Sequence, residues 1–305
     1  MGSSFVYSKY LKLMQTGYPN WKRVLWILVG GLTLFIIGKS VVPELLLASQ
    51  EKVAIVRVEG PILDSHGTVE ELRTFAEDPT VRAIVMRIDS PGGGVAPSQE
   101  IYNAVRRVRK ENNKTVVASM GTVAASGGYY IAVATDRILA NPGTLTGSIG
   151  VIMQMANFQE LLEKVGVKNI VVKTGKFKDI GSPFRPMQEE DRRLLQSVMD
   201  DVHRQFIDAV ADGRSLDSAE VEQLADGRVF TGKQAKSILL VDDIGDLQDA
   251  IRLAGELGGI KGDPRIIETS KPFSFRDFLE TKFLGEVRSF SLPNFRTPLM
   301  YMWIG

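Results

Sequence analysis

The feature that most restricts the fold is a recurring order: an apolar strand, a glycine corner, then an amphipathic helix. "VRAIVMRIDS" (Val81 to Ser90) runs into "PGGGVAP", and "SQEIYNAVRRVRKENN" follows with Ile101, Val105 and Val108 on one helical face. "KTVVASMG" reads as a further strand, "TVAASGG" as its corner, and a helix to about Ala134 follows. "EKVAIVRVEGPI" is β-rich, and "GTVEELRTFAED" has the spacing of a short helix. The order repeats through "GSIGVIMQMA", "NFQELLEKVGV" and "NIVVKTG", the last read as a strand, and Glu189 to Arg214 reads as one long helix. A smaller lobe, "TGKQAKSILLVDDIGDLQDAIRLAGELG", closes the compact part, and the chain from about Asp263 is expected to be irregular. Such alternation predicts an α/β domain with short connections.

One long apolar run, Val24 to Val42, stands apart. A bilayer core takes about 20 such residues as a helix, and this run suffices if Lys39 reaches the far interface. Lys9, Lys12, Lys22 and Arg23 precede it without an acid among them, so the N-terminus is expected to stay cytoplasmic and the rest to cross. "PELLLASQE" offers no clean small-x-small pair for signal-peptide cleavage, which favours an uncleaved anchor.

Composition excludes several chemistries. With Lys+Arg 37 against Asp+Glu 36 and no dense basic run, nucleic acid is not an expected partner. The chain has no cysteine, so disulfides, thiolate catalysis and cysteine-ligated zinc are out. Only His66 and His203 are present, far apart in sequence, so no metal site is expected. "DSPGGGV" lacks both the Gly-Lys-Ser/Thr of a phosphate loop and the GxGxxG spacing, and no cofactor is called for.

Ser126, in "GTVAASGGYYIA", lies between two alanines and two glycines where a strand gives way to a helix. Such a serine is either an N-cap or a nucleophile. If it reacts, the amide of Gly127 and the start of the following helix are placed to receive an oxyanion. The glycines of "DSPGGGV" supply a second corner, and the Gly93 and Gly127 amides converge if their strands are neighbours. A serine also needs a base. His66 lies in a polar turn, "LDSHGT", and His203 within the long helix, where it reads as a surface or satisfied packing residue. A lysine serves if its amine is neutral, which requires desolvation or nearby positive charge. Lys173, Lys176 and Lys178 are the candidates, and local alternation does not separate Lys176 from Lys178.

Taken in order, "RIDSPGGGV", "ASMGTVAASGGYYIA", "NPGTLTGSIGV" and "GKFKDIGSPFRPM" resemble the signal peptide peptidase A family, short bacterial form, over about Val53 to Gly258. The resemblance implies a Clp-protease/crotonase-like α/β fold and a Ser/Lys dyad that hydrolyses signal peptides left in the membrane after secretion. It places the nucleophile at Ser126 and the general base at Lys178, the lysine preceding "DIGSP". It places the oxyanion hole at Gly93 and Gly127, and the hydroxyl that orients the lysine at Ser148 of "LTGSIG". A ring-like homo-oligomer and a place in the bacterial inner membrane, with the catalytic domain on the outer side, are implied as well. The division then reads 1–23 cytoplasmic, 24–42 transmembrane, 43–52 linker, 53–262 protease domain and 263–305 C-terminal extension. The terminal "PLMYMWIG" is apolar enough to dock on a neighbouring subunit or in the substrate groove. Two rivals use the same fold: an acyl-CoA enzyme of crotonase type, and a catalytically silent anchored scaffold in which Ser126 only caps a helix.

Overall fold

The computed structural model describes residues 25–26, 28–31, 50–269 and 300–302. The chain divides into two compact units, Met1–Gln50 and Glu51–Gly305. The span expected at 24–42 lies largely outside the described residues; of it, residues 25–26 and 28–31 are helical and exposed. Among the described residues no helix is long and apolar enough to cross a membrane.

The second unit is built on a mostly parallel sheet. Its strands are β1 (Lys52–Glu59), β2 (Val81–Ser90), β4 (Thr115–Ala125), β5 (Arg137–Ala140), β6 (Leu145–Gly147), β7 (Val229–Thr231), β8 (Asp243–Ile244) and β9 (Arg265–Glu268). The order is β7-β6-β4-β2-β1-β9, with β5 pairing both β4 and β8. Every contact is parallel except β6 with β7. Strand runs such as "KVAIVRVE" are apolar at successive positions because both faces of a parallel sheet are covered. Successive side chains point to opposite faces, so Ala54, Val56, Ile84 and Met86 enter one core and Val53, Ile55, Ala83 and Val85 the other.

The first core is closed by α1 (His66–Glu77), α2 (Val95–Lys110), α3 (Gly127–Ala132) and the inner stripe of α5 (Glu189–Arg214). α5 has the bounds read from the sequence, and its buried stripe is Val202, Phe206, Ile207, Ala209 and Val210. The second core is closed by α8 (Leu247–Leu257) through Ala250, Ile251 and Ala254. The short helices α4 (Gln159–Lys164), α6 (Ser218–Leu224) and α7 (Gly232–Ser237) complete the set.

β4 changes partner along its length. Its first half pairs with β5 (Met120↔Ala140) and its last residues with β6 (Ala125↔Gly147), while a register shift breaks its ladder with β2. Gly121 sits at the change, where a Cβ would lie 2.6 Å from the Asp89 carboxylate. The carboxyl end of β4 therefore lies between those of β2 (Ser90↔Ala124) and β6 (Ala125↔Gly147), and the carboxyl ends of the strands are where open α/β sheets bind ligands.

Two expectations need correction. "NIVVKTG" forms no strand: residues 169–175 are exposed and lie outside every ladder. Its valines have β propensity, but among the described residues they pair with no strand. The C-terminal part is not irregular throughout. β9 adds to the sheet beside β1, and β10 (Met300–Met302) pairs antiparallel with β3 (Gly92–Gly94).

Candidate active site

Ser126 occupies the N-cap position of α3 with φ 53° and ψ −114°, a conformation that L-residues rarely adopt. Holding it there costs about 1–3 kcal/mol, and such strain persists only where the surroundings over-determine it. Here they do. The Ser126 amide donates to the Gly147 carbonyl at 2.8 Å, and its own carbonyl accepts from the Tyr130 amide at 2.8 Å. The side chain makes no capping bond, so the N-cap reading loses its rationale. The residue is 1% exposed. α3 has only six residues, so its dipole is small and the adjacent Gly127 amide matters more.

The two glycine corners meet. A Cβ on Gly92 (φ +98°) would lie 2.7 Å from the Gly127 nitrogen, and one on Gly127 would lie 3.2 Å from the Gly92 Cα. Only glycine fits at that crossing. Two serines that sequence reasoning passed over brace it. Ser90 accepts from the Gly92 amide at 3.1 Å, and Ser98 donates to the Gly94 carbonyl at 2.8 Å, both hydroxyls being buried. The polar string "DSPGGGVAPSQ" carried that signal.

Gly93 is bracketed on both sides. The Ile62 amide donates to the Gly92 carbonyl and the Gly94 amide donates to the Ile62 carbonyl. By strand alternation the Gly93 N–H and C=O face the opposite side, where Tyr301 of β10 is its registered partner. β10 also exchanges hydrogen bonds between Met300 and Ile152, at 3.1 and 3.2 Å. Residues 300–302 therefore lie extended between the glycine strand and the segment after Ser148. Tyr301 is 0% exposed, stacks on Tyr130 at 5.2 Å and donates from its hydroxyl to the Val202 carbonyl at 3.1 Å. Burial pushes the Tyr301 phenol well above its ordinary range and that of Tyr130 up to about 12.

Ser148 follows β6 as Ser126 follows β4, and it too has positive φ (50°). The Ala125↔Gly147 pairing makes the two serines neighbours at adjacent strand ends. Ser148, Ile152, Gln196, Asp200, His203 and Met302 line a cavity of about 380 Å³. His203 is therefore not a satisfied packing residue: its Nε2 is buried there without a hydrogen-bond partner. His66 stands at the start of α1, lining a different cavity with Glu70 and Glu100.

Lys178 is placed differently. It lies on an exposed turn, its backbone amide donating to the Gly175 carbonyl at 3.3 Å. Its ammonium makes no hydrogen bond or ion pair among the described residues. Ser126, Gly127, Gly93 and Ser148 are thus brought together, and Lys178 is not joined to them by any such bond. Among the described residues no group of acids and histidines could hold a metal ion.

A strained buried serine at the head of a short helix, beside crossed glycine corners at the carboxyl ends of parallel strands, is an arrangement that suits a serine hydrolase built on an α/β domain. The Clp protease family model matches residues 48–144, and that of peptidase family S49 matches residues 108–261. The protease slr0021 of Synechocystis sp. is 42% identical over 224 residues, covering 73% of this chain and 80% of that one. Similar too are a signal peptide peptidase SppA of Enterococcus faecium (36% over 217 residues; 67% and 63%) and the chloroplastic serine protease SPPA of Arabidopsis thaliana (35% over 228; 72% and 33%). The chain belongs to peptidase family S49, the signal peptide peptidase A family, and is a serine-type peptidase.

Proposed function

We propose that this peptidase is a membrane-anchored endopeptidase that hydrolyses signal peptides remaining after secretion. Ser126 attacks the peptide carbonyl as neutral Lys178 takes its proton. The Gly93 and Gly127 amides hold the oxyanion, and Ser148 orients the lysine. Lys178 then protonates the leaving amine, and water hydrolyses the acyl-enzyme. The anchor at 24–42 would hold the catalytic unit on the outer face of a bacterial inner membrane, close to its apolar substrates.

The observation that carries this reading is the lie of residues 300–302. An extended segment on the Gly92–Gly94 strand, beside Gly127, is how a groove for unfolded peptide is occupied. A pocket for an acyl-CoA needs no such edge. A ring-like homo-oligomer belongs to the same reading, because Lys178 lies on an exposed turn and a base lysine needs the desolvation that an assembly would supply. The exposed apolar residues around it, Ile170 and Val172 among them, suit burial between copies.

The test is turnover of a synthetic signal peptide by the wild type, Ser126→Ala and Lys178→Ala. Loss of at least about 10³-fold in both variants is expected. Wild-type turnover by either variant overturns the dyad. Labelling of Ser126 by a fluorophosphonate separates the peptidase from the acyl-CoA enzyme and from the silent scaffold, neither of which needs a reactive hydroxyl.

A further inference from the structure

Among the described residues, 151–190 contain no fully buried side chain, so apolar packing contributes little to fixing the turn that carries Lys178. A polar clasp stands in its place. The Asp179 carboxylate, next in sequence to Lys178, accepts on one oxygen from both Lys173 Nζ at 2.5 Å and Arg185 Nη2 at 3.1 Å. Lys173 also donates to the Lys176 carbonyl at 2.9 Å, closing the turn on itself. Arg185 reaches the other way, through Nη1, to Asp191 at 2.5 Å.

Asp191 is the fixed end. Its carboxylate is buried and accepts from the Gln188 amide at 3.1 Å, as the N3 member of the capping box that starts α5. α5 is itself held by the buried Val202, Phe206 and Ile207. Arg185 thus ties a turn that lacks a core to a helix that has one. Asp179 is held below the usual carboxylate range by its hydrogen bonds from Lys173 and Arg185, and Asp191 by that from Arg185. The charged groups that meet at this turn are Lys173, Lys176, Asp179 and Arg185 of the turn itself, with Glu190, paired to Lys176, and Asp191 of α5.

We propose that Arg185 is a positioning residue for Lys178: it anchors the lysine's turn to α5 and, with Lys173, occupies the Asp179 carboxylate that would otherwise pair with the lysine. This rests on the dyad reading. A base lysine must be neutral, and a free carboxylate beside it favours the ammonium. Two cations committed to Asp179 remove that bias, and the two-sided fork is geometry that arginine offers and lysine does not.

The experiment follows kcat/KM against pH for the full-length enzyme in detergent, in wild type, Arg185→Gln, Arg185→Lys and Arg185→Gln/Asp179→Asn, with Lys178→Ala alongside. In Arg185→Gln, Asp179 keeps Lys173 as its only partner and its carboxylate favours the Lys178 ammonium, so the acidic limb moves about one unit to higher pH. Removing Asp179 as well returns the limb towards its wild-type position, which a merely structural role for Arg185 would not do. Arg185→Lys lies between, and carries the same test if the glutamine variant does not fold. An unmoved limb in the Arg185 variants, or a double variant whose limb stays displaced, overturns the proposal. Full activity of Lys178→Ala would instead sink the dyad reading, so the two failures are distinguishable.

Discussion

Ser126 stands where every neighbour is fixed, whereas Lys178 stands on a stretch, 151–190, without one buried side chain. Around the serine, backbone bonds to Gly147 and Tyr130 and the crossing of Gly92 with Gly127 hold a strained conformation in place. Around the lysine, order comes from ion pairs, and apolar side chains face outwards: Val172 is 97% exposed and Ile170 85%. On the proposed dyad reading, the surroundings of Ser126 are pre-organised within one chain, whereas the proton-accepting lysine awaits whatever covers its turn. Pre-organised donors are the larger source of catalytic stabilisation, so the rigid half is where a deep core is most needed.

The sharpest break of this comparison is removal of the nucleophile. Ser126→Ala should lower kcat/KM by about 10⁴-fold or more, equivalent to about 5.5 kcal/mol of barrier, with thermal unfolding close to wild type. Measurable turnover at the wild-type rate would end the contrast. The base assignment sharpens next. Lys178→Ala is expected to cost about 10³-fold in rate while changing unfolding free energy by no more than about 0.5 kcal/mol, as for exposed sites. His203→Gln should cost less than about tenfold; a loss as large as that of Lys178→Ala would move the base to the cavity beside Ser148.

On the rigid side, packing should govern stability. Tyr301→Ala removes a fully buried ring and should cost about 3 kcal/mol, read as a lowered denaturant midpoint. Tyr301→Phe, losing only the bond to the Val202 carbonyl, should cost about 1 kcal/mol. On the exposed side, Val172→Ser should leave unfolding within about 0.5 kcal/mol of wild type and weaken self-association in sedimentation; unchanged association would say that the arm is not an interface. The smallest effect concerns acid. Asp179 and Asp191 have depressed pKa values, so their contribution is present above the unfolded value of about 3.9 and lost as pH falls below it. Protection factors in 173–188, with the pH dependence of intrinsic amide exchange divided out, should therefore fall below about pH 4, while those in β4 do not.

The sheet was legible because its strands are apolar at successive positions and end in glycine or proline corners, and α5 because its apolar residues keep a 3.6 spacing over its whole length. The candidate site was readable only as residue types: Ser126, Gly93, Gly127 and Ser148 lie in small-residue strings, and the structure adds that their strand ends are adjacent. "NIVVKTG" misled because β propensity registers a fit to a pleated surface, and among the described residues no strand receives it. β10 was missed as a strand because three residues carry no periodicity, and its partner lies at the other end of the domain. His203 misled for a related reason: α5 is amphipathic, but the turn that carries His203 faces a cavity, where open surface or packed core was expected.

The pairing of β10 with β3 has a consequence for biosynthesis. Chains leave the ribosome from the N-terminus at about 5–20 residues per second, so the Gly92–Gly94 edge emerges long before Met300–Met302 can close against it. Until Met300–Met302 arrive, the edge lacks a strand, and Tyr130 and Phe206 lack the ring that seals them. The glycine strand beside Gly127 is thus among the last parts of this unit to be finished, and a nascent chain that stops short of residue 302 leaves it unsealed.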